Sequence, residues 1–262
     1  MHVLLIGLGN MGSKYLKKLQ ESGIVPVLCD LDPSKTDLCE VCPFYCHFGD
    51  VREEVSRVIV AVNPEDHVSV AGEFLSKNIP VLLEKPPATT SEEFKKISDS
   101  PFLEVSEIEL YSHPVKNFPK KIRPTSIIIE RLNKGKGYIN PLWDLAWHDL
   151  YVLQYLFGNL ELYSSSSGEV WELEGKAGGI PFKLSAAWEY TGDVKRMWKV
   201  QTEEGEVILD FLTESITVNG KLTRRKEGDK LGEMVSDFLK GIRREGSAMR
   251  ALRNLELLES LF

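Results

Sequence analysis

The first twelve residues constrain this chain more than any other stretch. Val3 to Ile6 is a short, unbroken apolar run, as expected of a strand covered on both faces in a parallel sheet. It runs directly into Gly7-Leu8-Gly9-Asn10-Met11-Gly12. Met11, Tyr15, Leu16 and Leu19 then recur at helical spacing, Gly23 stops the helix, and the run from Ile24 to Cys29 ends at Asp30. Strand, glycine loop, helix, strand and terminal acid fit the length of one βαβ unit. Gly7 permits a tight turn, Gly9 lets backbone approach a pyrophosphate, and Gly12 lets the helix pack closely on the strand. The helix N-terminus offers free N–H groups to phosphate, and Asp30 is placed to accept hydrogen bonds from an adenosine ribose. A bare GxGxxG carries little information, whereas one set between a strand and a helix with its acid in place is a dinucleotide-binding signature.

The alternation continues. Leu31-Asp32-Pro33-Ser34 has helix-start chemistry and predicts a short helix to about Cys42, followed by a short strand over Phe44 to Phe48. Val51 to Ser56 reads as a brief helix, and Arg57 to Val62 as a buried strand. Asn63 can cap a helix that starts at Pro64 and runs to about Lys77. Ile79 to Leu83 is the next strand and ends in Glu84-Lys85-Pro86-Pro87; a helix over Ser91 to Ser98 and a strand within Phe102 to Leu110 follow. This is a doubly wound parallel sheet, which binds ligands beyond the carboxyl ends of its strands. The expected cofactor-binding residues are therefore Gly7, Leu8, Gly9, Asn10, Met11, Gly12, Asp30, Val62, Asn63, Pro64, His67, Glu84 and Lys85. Asp30 accepts from a 2′-hydroxyl and repels a 2′-phosphate, Asp32 adds negative charge, and Lys35 is the only cation nearby, so NAD is preferred over NADP.

The pattern changes after residue 112. Ser126 to Leu132 reads as a strand. Pro141 to Phe157 is apolar nearly all round, as in a buried helix, which makes Asp144, His148 and Tyr151 along one face conspicuous. Leu160 to about Arg225 alternates as strands and turns, and Asp229 to Arg244 and Ala248 to Phe262 read as closing helices. The expectation is a Rossmann domain over residues 1–112 and an α+β domain over 113–262. The second domain carries a mostly antiparallel open sheet whose outer face suits a homo-oligomer contact.

The net charge of −7 and the shortness of the basic runs Lys120-Lys121 and Arg224-Arg225-Lys226 argue against nucleic acid as a partner. No apolar run approaches the roughly eighteen residues that span a bilayer. The first strand starts at His2 with no leader pattern before it, which predicts a cytoplasmic, reduced setting. Cys39, Cys42 and Cys46 form C-x-x-C-x-x-x-C near Cys29 and His47. With only one CxxC, they read as small buried hydrophobes rather than zinc or iron–sulfur ligands, and no metal is expected.

Three ordered features resemble the glucose–fructose oxidoreductase / inositol dehydrogenase family (Gfo/Idh/MocA). They are Gly7-Leu8-Gly9-Asn10-Met11-Gly12, Glu84-Lys85-Pro86 at a strand end, and Asp144-x-x-x-His148 on a helix that ends in Leu156-Phe157-Gly158. Asn63-Pro64 followed by His67 resembles that family's turn after its fourth strand. The resemblance implies NAD(H) or NADP(H) and oxidoreduction of a sugar, polyol or related hydroxy/keto compound. It also implies that Lys85, Asp144 and His148 face the nicotinamide and the reacting carbon. In that reading His148 is the acid–base group, Lys85 donates to the substrate oxygen, and Asp144 orients the substrate or His148. The family's Asp three residues after the histidine is Tyr151 here, and Glu109 and Tyr111 stand where Asn and Arg are usual. Tyr111, His113 and Tyr151 are therefore the candidate substrate-binding residues. Two further readings keep the same fold: an NAD-binding regulator or assembly protein without turnover, and an enzyme that cleaves glycosides by transient oxidation.

Overall fold

The computed structural model describes residues 2–137, 139–224 and 228–261, so Arg225 and Lys226 of the basic run, and Phe262, lie outside the described residues. The chain opens with β1 (His2–Ile6), α1 (Asn10–Glu21), β2 (Val27–Cys29), β3 (Phe44–Tyr45), β4 (Val55–Val60), α2 (Pro64–Leu75), β5 (Val81–Leu83), α3 (Ser91–Lys95) and β6 (Leu103–Val105). These six strands form one sheet in the order β3-β2-β1-β4-β5-β6, with every neighbouring pair parallel. Val3, Leu4, Leu5, Val58, Ile59, Val60, Val81 and Leu82 are fully buried, as continuous apolar runs in a two-sided sheet should be.

Four local expectations change. The helix predicted from Asp32 to about Cys42 is a 3-10 turn over Pro33–Leu38, capped by Asp32, whose carboxylate accepts the Ser34 N–H at 3.0 Å. It stops because Cys39 takes extended backbone. Cys39 and Cys42 are joined by a disulfide, so they are not the free buried thiols read from the sequence; Cys29 and Cys46 are free. Val51 to Ser56 is not helical: β-branched Val55 already pairs with His2 as β4 begins. The strand expected within Phe102 to Leu110 ends at Val105, and Ile108–Tyr111 forms a 3-10 turn.

Beyond it come α4 (His113–Lys116), β7 (Pro124–Leu132), α5 (Trp147–Phe157) entered through a π-helical turn over Leu142–Ala146, and β8 (Leu160–Ser166). β9 (Trp171–Ala177), β10 (Ile180–Ala187), β11 (Lys195–Thr202), β12 (Gly205–Asp210), β13 (Ser215–Val218) and β14 (Lys221–Arg224) follow, then α6 (Lys230–Lys240) and α7 (Ser247–Glu259). The second sheet has the order β14-β13-β12-β11-β7-β10-β9-β8 and is antiparallel except where β7 meets β10.

Met1–Ser106 with Leu231–Arg253 make one compact unit, and Glu107–Lys230 with Asn254–Phe262 make the other. The division thus falls six residues before 112, and residues 231–253 return to the first unit. The reason is the stripe Leu231, Met234, Val235 and Phe238 on α6, spaced i, i+3, i+4, i+7 and buried. Arg57 places its guanidinium 5.6 Å from the Phe238 ring and donates from Nε to the Leu239 carbonyl at 3.2 Å.

The second unit encloses charge as well as apolar area. Arg131 of β7 is 2% exposed and meets Asp149 of α5, 1% exposed, through Nε at 2.6 Å and Nη2 at 3.0 Å. The Trp198 indole N–H donates to the same carboxylate at 2.7 Å. Burial opposes the charged form of Arg131, but Asp149 and Glu109 outweigh it and hold the guanidinium ionised. Removing one partner strands a buried charge, which costs about 3–5 kcal/mol, whereas replacing both by apolar groups can be neutral. Urea denaturation is therefore expected to show Asp149→Ala destabilised by about 3–5 kcal/mol, with Arg131→Met/Asp149→Leu closer to wild type than either single change.

Candidate functional site

In the first unit the carboxyl ends of β1, β2 and β4 open into a cleft of about 580 Å³. Its floor is set by the glycine loop. Gly7 has φ +86°, and a Cβ there would lie 2.5 Å from the Ala61 carbonyl oxygen. A Cβ on Gly12 would stand 1.8 Å from the Gly7 carbonyl oxygen, so only glycine lets α1 sit this close. Gly9 differs: nothing lies within 4 Å of the place its Cβ would take, and Gly9 lines the cleft. The loop thus leaves open space at the head of α1, where Gly9 caps the helix with no side-chain hydrogen bond and the first-turn amides point outward. That is the cradle a pyrophosphate requires.

Asp30 ties the loop to β2. One carboxylate oxygen accepts the Leu8 N–H at 2.6 Å and the other accepts the Asp32 N–H at 2.9 Å. Gly7, Gly9, Asp30, Val62 and Asn63, all expected from the sequence, line the cleft. Leu8 is fully buried beneath the loop. Sequence reasoning missed His47 and Phe48, whose rings stack with centroids 4.6 Å apart on the cleft wall, and Asp66 and Ser69 of α2. The signal for the first two was their position just beyond β3, at the same carboxyl edge as Asp30.

The Glu84-Lys85-Pro86 turn is built from behind. Glu84 is 5% exposed; Tyr15 donates its hydroxyl hydrogen to one carboxylate oxygen, and the Lys85 N–H donates to the other at 3.0 Å. Burial first, then Glu84, holds the Tyr15 phenol well above its ordinary pKa, so it stays a donor. His67 is 1% exposed and its Nδ1–H donates to the Pro86 carbonyl at 2.8 Å. Glu84 and His67, expected to bind cofactor, thus support the turn that carries half-buried Lys85. Burial lowers the His67 pKa below 6.5 and keeps the ring neutral.

In the second unit, Asp144 lies in the π-helical turn and His148 one turn further along, both half-buried. Such turns recur at functional sites. Tyr151 and Tyr111, expected to line a substrate pocket, are core residues at 1% exposure. Tyr151 Oη accepts the Glu109 N–H at 2.9 Å and lies 3.1 Å from His148 Nδ1. A hydroxyl can donate to a bare Nδ1 or accept from a protonated one, so Tyr151 can hold the imidazole in either charge state. Burial, then Glu109, raises the Tyr151 pKa well above 10 and keeps the phenol neutral. Glu109 is fixed by Lys230 at 2.8 Å and Arg131 at 3.5 Å. Burial alone would raise its pKa, but these two cations hold it lowered. Lys230 also meets Glu214 at 2.9 Å, and Glu214 accepts the backbone N–H of half-buried His113 at 2.8 Å. Among the described residues no group of three or more His, Cys, Asp or Glu could hold a metal ion.

Residues 1–100 match the Gfo/Idh/MocA family model, described as an oxidoreductase family with an NAD-binding Rossmann fold. The chain is 30% identical over 101 residues to the rhizopine catabolism protein MocA of Rhizobium meliloti, a match that spans 36% of this chain and 32% of that protein. In fold it is similar to the UDP-N-acetylglucosamine 3-dehydrogenase GnnA of Acidithiobacillus ferrooxidans, with TM-score 0.83 and 18% identity over 100% of this chain and 97% of that one. It is also similar to a myo-inositol dehydrogenase of Corynebacterium glutamicum, with TM-score 0.82 and 14% identity over 100% and 96%.

Two outcomes follow. Gly9→Ala is expected to leave the Tm within about 2 °C of wild type while weakening NAD binding, and Gly12→Ala to lower both, as read by thermal melts and calorimetric titration. For His67 the unfolded state binds the proton more readily than the folded state. Stability should therefore fall as pH drops below about 6.5 and stay flat above it. His67→Gln keeps a donor for Pro86 but does not titrate, so its stability deficit against wild type should shrink between pH 7 and pH 5 in urea melts.

Proposed function

We propose, for a chain that through residues 1–100 belongs to the Gfo/Idh/MocA oxidoreductase family, that it is an NAD-linked dehydrogenase or reductase of a sugar, polyol or related hydroxy/keto compound. The observation that carries this reading is the cleft of the first unit, with open space at Gly9 and Asp30 at its ribose end. The structural relatives named above act on a nucleotide sugar and on an inositol, which supports the substrate class.

The residues present fit the cofactor. Gly7 and Gly9 with the head of α1 would hold the pyrophosphate, and Asp30 would exchange its loop hydrogen bonds for those of ribose hydroxyls. Asp30, Asp32 and Asp66 set three carboxylates against the single ammonium of Lys35 around the cleft, which favours a 2′-hydroxyl over a 2′-phosphate and hence NAD over NADP. When bound, the nicotinamide supplies the hydride acceptor or donor. Lys85 donates to the substrate oxygen and stabilises alkoxide character there. His148 takes or returns the hydroxyl proton, with Tyr151 as its partner at Nδ1, and Asp144 orients the substrate or the imidazole. In this reading Tyr151 works through His148 and never touches substrate. The outer face of the second unit's sheet, where Ile128 is 48% exposed between buried Ile127 and Ile129, supports a homo-oligomer contact.

The test is NADH formation at 340 nm across sugars, inositols and sugar acids, with NAD and NADP each supplied. Wild type should turn over with NAD in preference to NADP, and His148→Ala and Lys85→Ala should each lose about 10²-fold or more in kcat. Activity that survives both changes overturns the assigned chemistry. Asp30→Ser should narrow the preference for NAD.

A further inference from the structure

We propose that Cys39 and Cys42 are a reversible thiol–disulfide pair that sets how tightly the adenosine end of the cleft holds its nucleotide. The inference rests on the NAD reading of that cleft and adds a control to it.

The position of the pair in the chain carries the argument. One stretch, from Leu31 to Phe48, supplies two walls of the cleft: Asp32 and Lys35 before the cysteines, His47 and Phe48 after them. The Cys39–Cys42 disulfide closes the turn between these walls. Little else fixes that turn. The preceding element is a six-residue 3-10 turn with no buried residue, and β3 beyond is only two residues long. The backbone bonds at the cysteines are long, 3.5 Å from Cys39 N–H to Thr36 and 3.2 Å from Cys42 N–H to Cys39. The firm anchor is the Leu28 N–H to the Pro43 carbonyl at 2.8 Å, just past the pair. Each wall is tied to β2 at its far end, Asp32 N–H to Asp30 at 2.9 Å and Asp30 N–H to the Tyr45 carbonyl at 3.2 Å, and the covalent link restrains the turn that joins them.

The surroundings suit exchange at this pair. Both cysteines are 8% exposed, and Glu40 and Val41 between them are exposed, Val41 at 75%, so the pair lies directly beneath a solvent-facing turn that must open slightly for an attacking thiol. Cys29, which lines the cleft itself, is a poor competitor: burial and then Asp30 push its thiol up to about 12, leaving it protonated.

The chemistry balances with a low-molecular-weight disulfide such as oxidised glutathione. One cysteine thiolate attacks a glutathione sulfur, forming a mixed disulfide and releasing one glutathione thiol. The second thiolate attacks the protein-side sulfur, closes Cys39–Cys42 and releases the second glutathione thiol. Two cysteine thiols are oxidised, one external disulfide is reduced, and excess dithiol reverses the sequence. In the disulfide form the two walls are ordered before the nucleotide arrives. In the dithiol form that ordering is lost on binding, so affinity falls.

The experiment compares wild-type protein oxidised with oxidised glutathione, wild-type protein reduced with dithiothreitol, and Cys39→Ser/Cys42→Ser. Free thiols are counted after denaturation, and NAD binding is measured by calorimetric titration. The expected result is a closed Cys39–Cys42 disulfide in the oxidised protein, with Cys29 free and exposed Cys46 either free or carrying one glutathione, and four free thiols in the reduced one. The oxidised form should bind NAD about fivefold or more tightly than the reduced form. The double variant should match the reduced form and ignore the redox state. Four free thiols after oxidation, or equal NAD affinity in the two states, overturns the proposal and leaves the cofactor reading intact. Absence of NAD binding in both states overturns the cofactor reading and this proposal with it.

Discussion

The first unit depends on a missing methyl group. α1 can approach β1 only because Gly12 presents no Cβ to the Gly7 carbonyl, 1.8 Å from where that atom would be. Everything at the mouth of the cleft follows from this approach. The helix amides are brought to the strand end, Leu8 is buried, and its N–H is delivered to Asp30 at 2.6 Å. The same constraint that packs helix on sheet aims the helix terminus, so stability and recognition rest on the same atoms here.

The second unit solves a different problem. It buries Arg131, Asp149 and Glu109, each of which would be costly alone. The solution is mutual satisfaction. Asp149 takes the guanidinium and the Trp198 indole, Glu109 takes Arg131 and Lys230, and the Glu109 backbone N–H is left to hold Tyr151. Tyr151 in turn meets His148. A half-buried imidazole is thereby held at Nδ1 by a chain of fixed polar groups that ends in a β-strand, which gives it a defined orientation.

Much of this was legible in the residues. Continuous apolar runs located the strands of the parallel sheet, and the glycine spacing located the loop, because both reflect local requirements. The single face shared by Asp144, His148 and Tyr151 follows from their spacing, and the structure sets Tyr151 Oη 3.1 Å from His148 Nδ1. What stayed hidden depends on partners distant in sequence. Nothing near Glu109 announces that Arg131 and Lys230 will neutralise it, so Tyr151 read as a pocket residue rather than a core one. The return of residues 231–253 to the first unit is written in the apolar stripe of α6, but a stripe does not name the surface that it covers. His47 and Phe48 carried no motif, and only the sheet order, with β3 beside β2, brings them to the cleft. The boundaries that moved, at Cys39, Val55 and Val105, all lie where a short element ends, and there a single backbone pairing outweighs local propensity.

The one parallel pairing in the second sheet has a consequence for how that sheet assembles. β8, β9 and β10 form one meander and β11 to β14 another, each built from neighbours in sequence. β7 lies between them, parallel to β10 on one side and antiparallel to β11 on the other. Each meander can close through short loops, but joining them requires β7 to pair with residues 55 to 78 positions away, and the entropy of those loops must be lost before any contact offsets it. The central strand is therefore the non-local step in the folding of this sheet. Arg131, near the end of that strand, reaches Asp149 of α5 across only 18 residues, while the Trp198 indole that completes the same carboxylate comes from β11, so the buried ion pair gains its last partner from the step that unites the two halves.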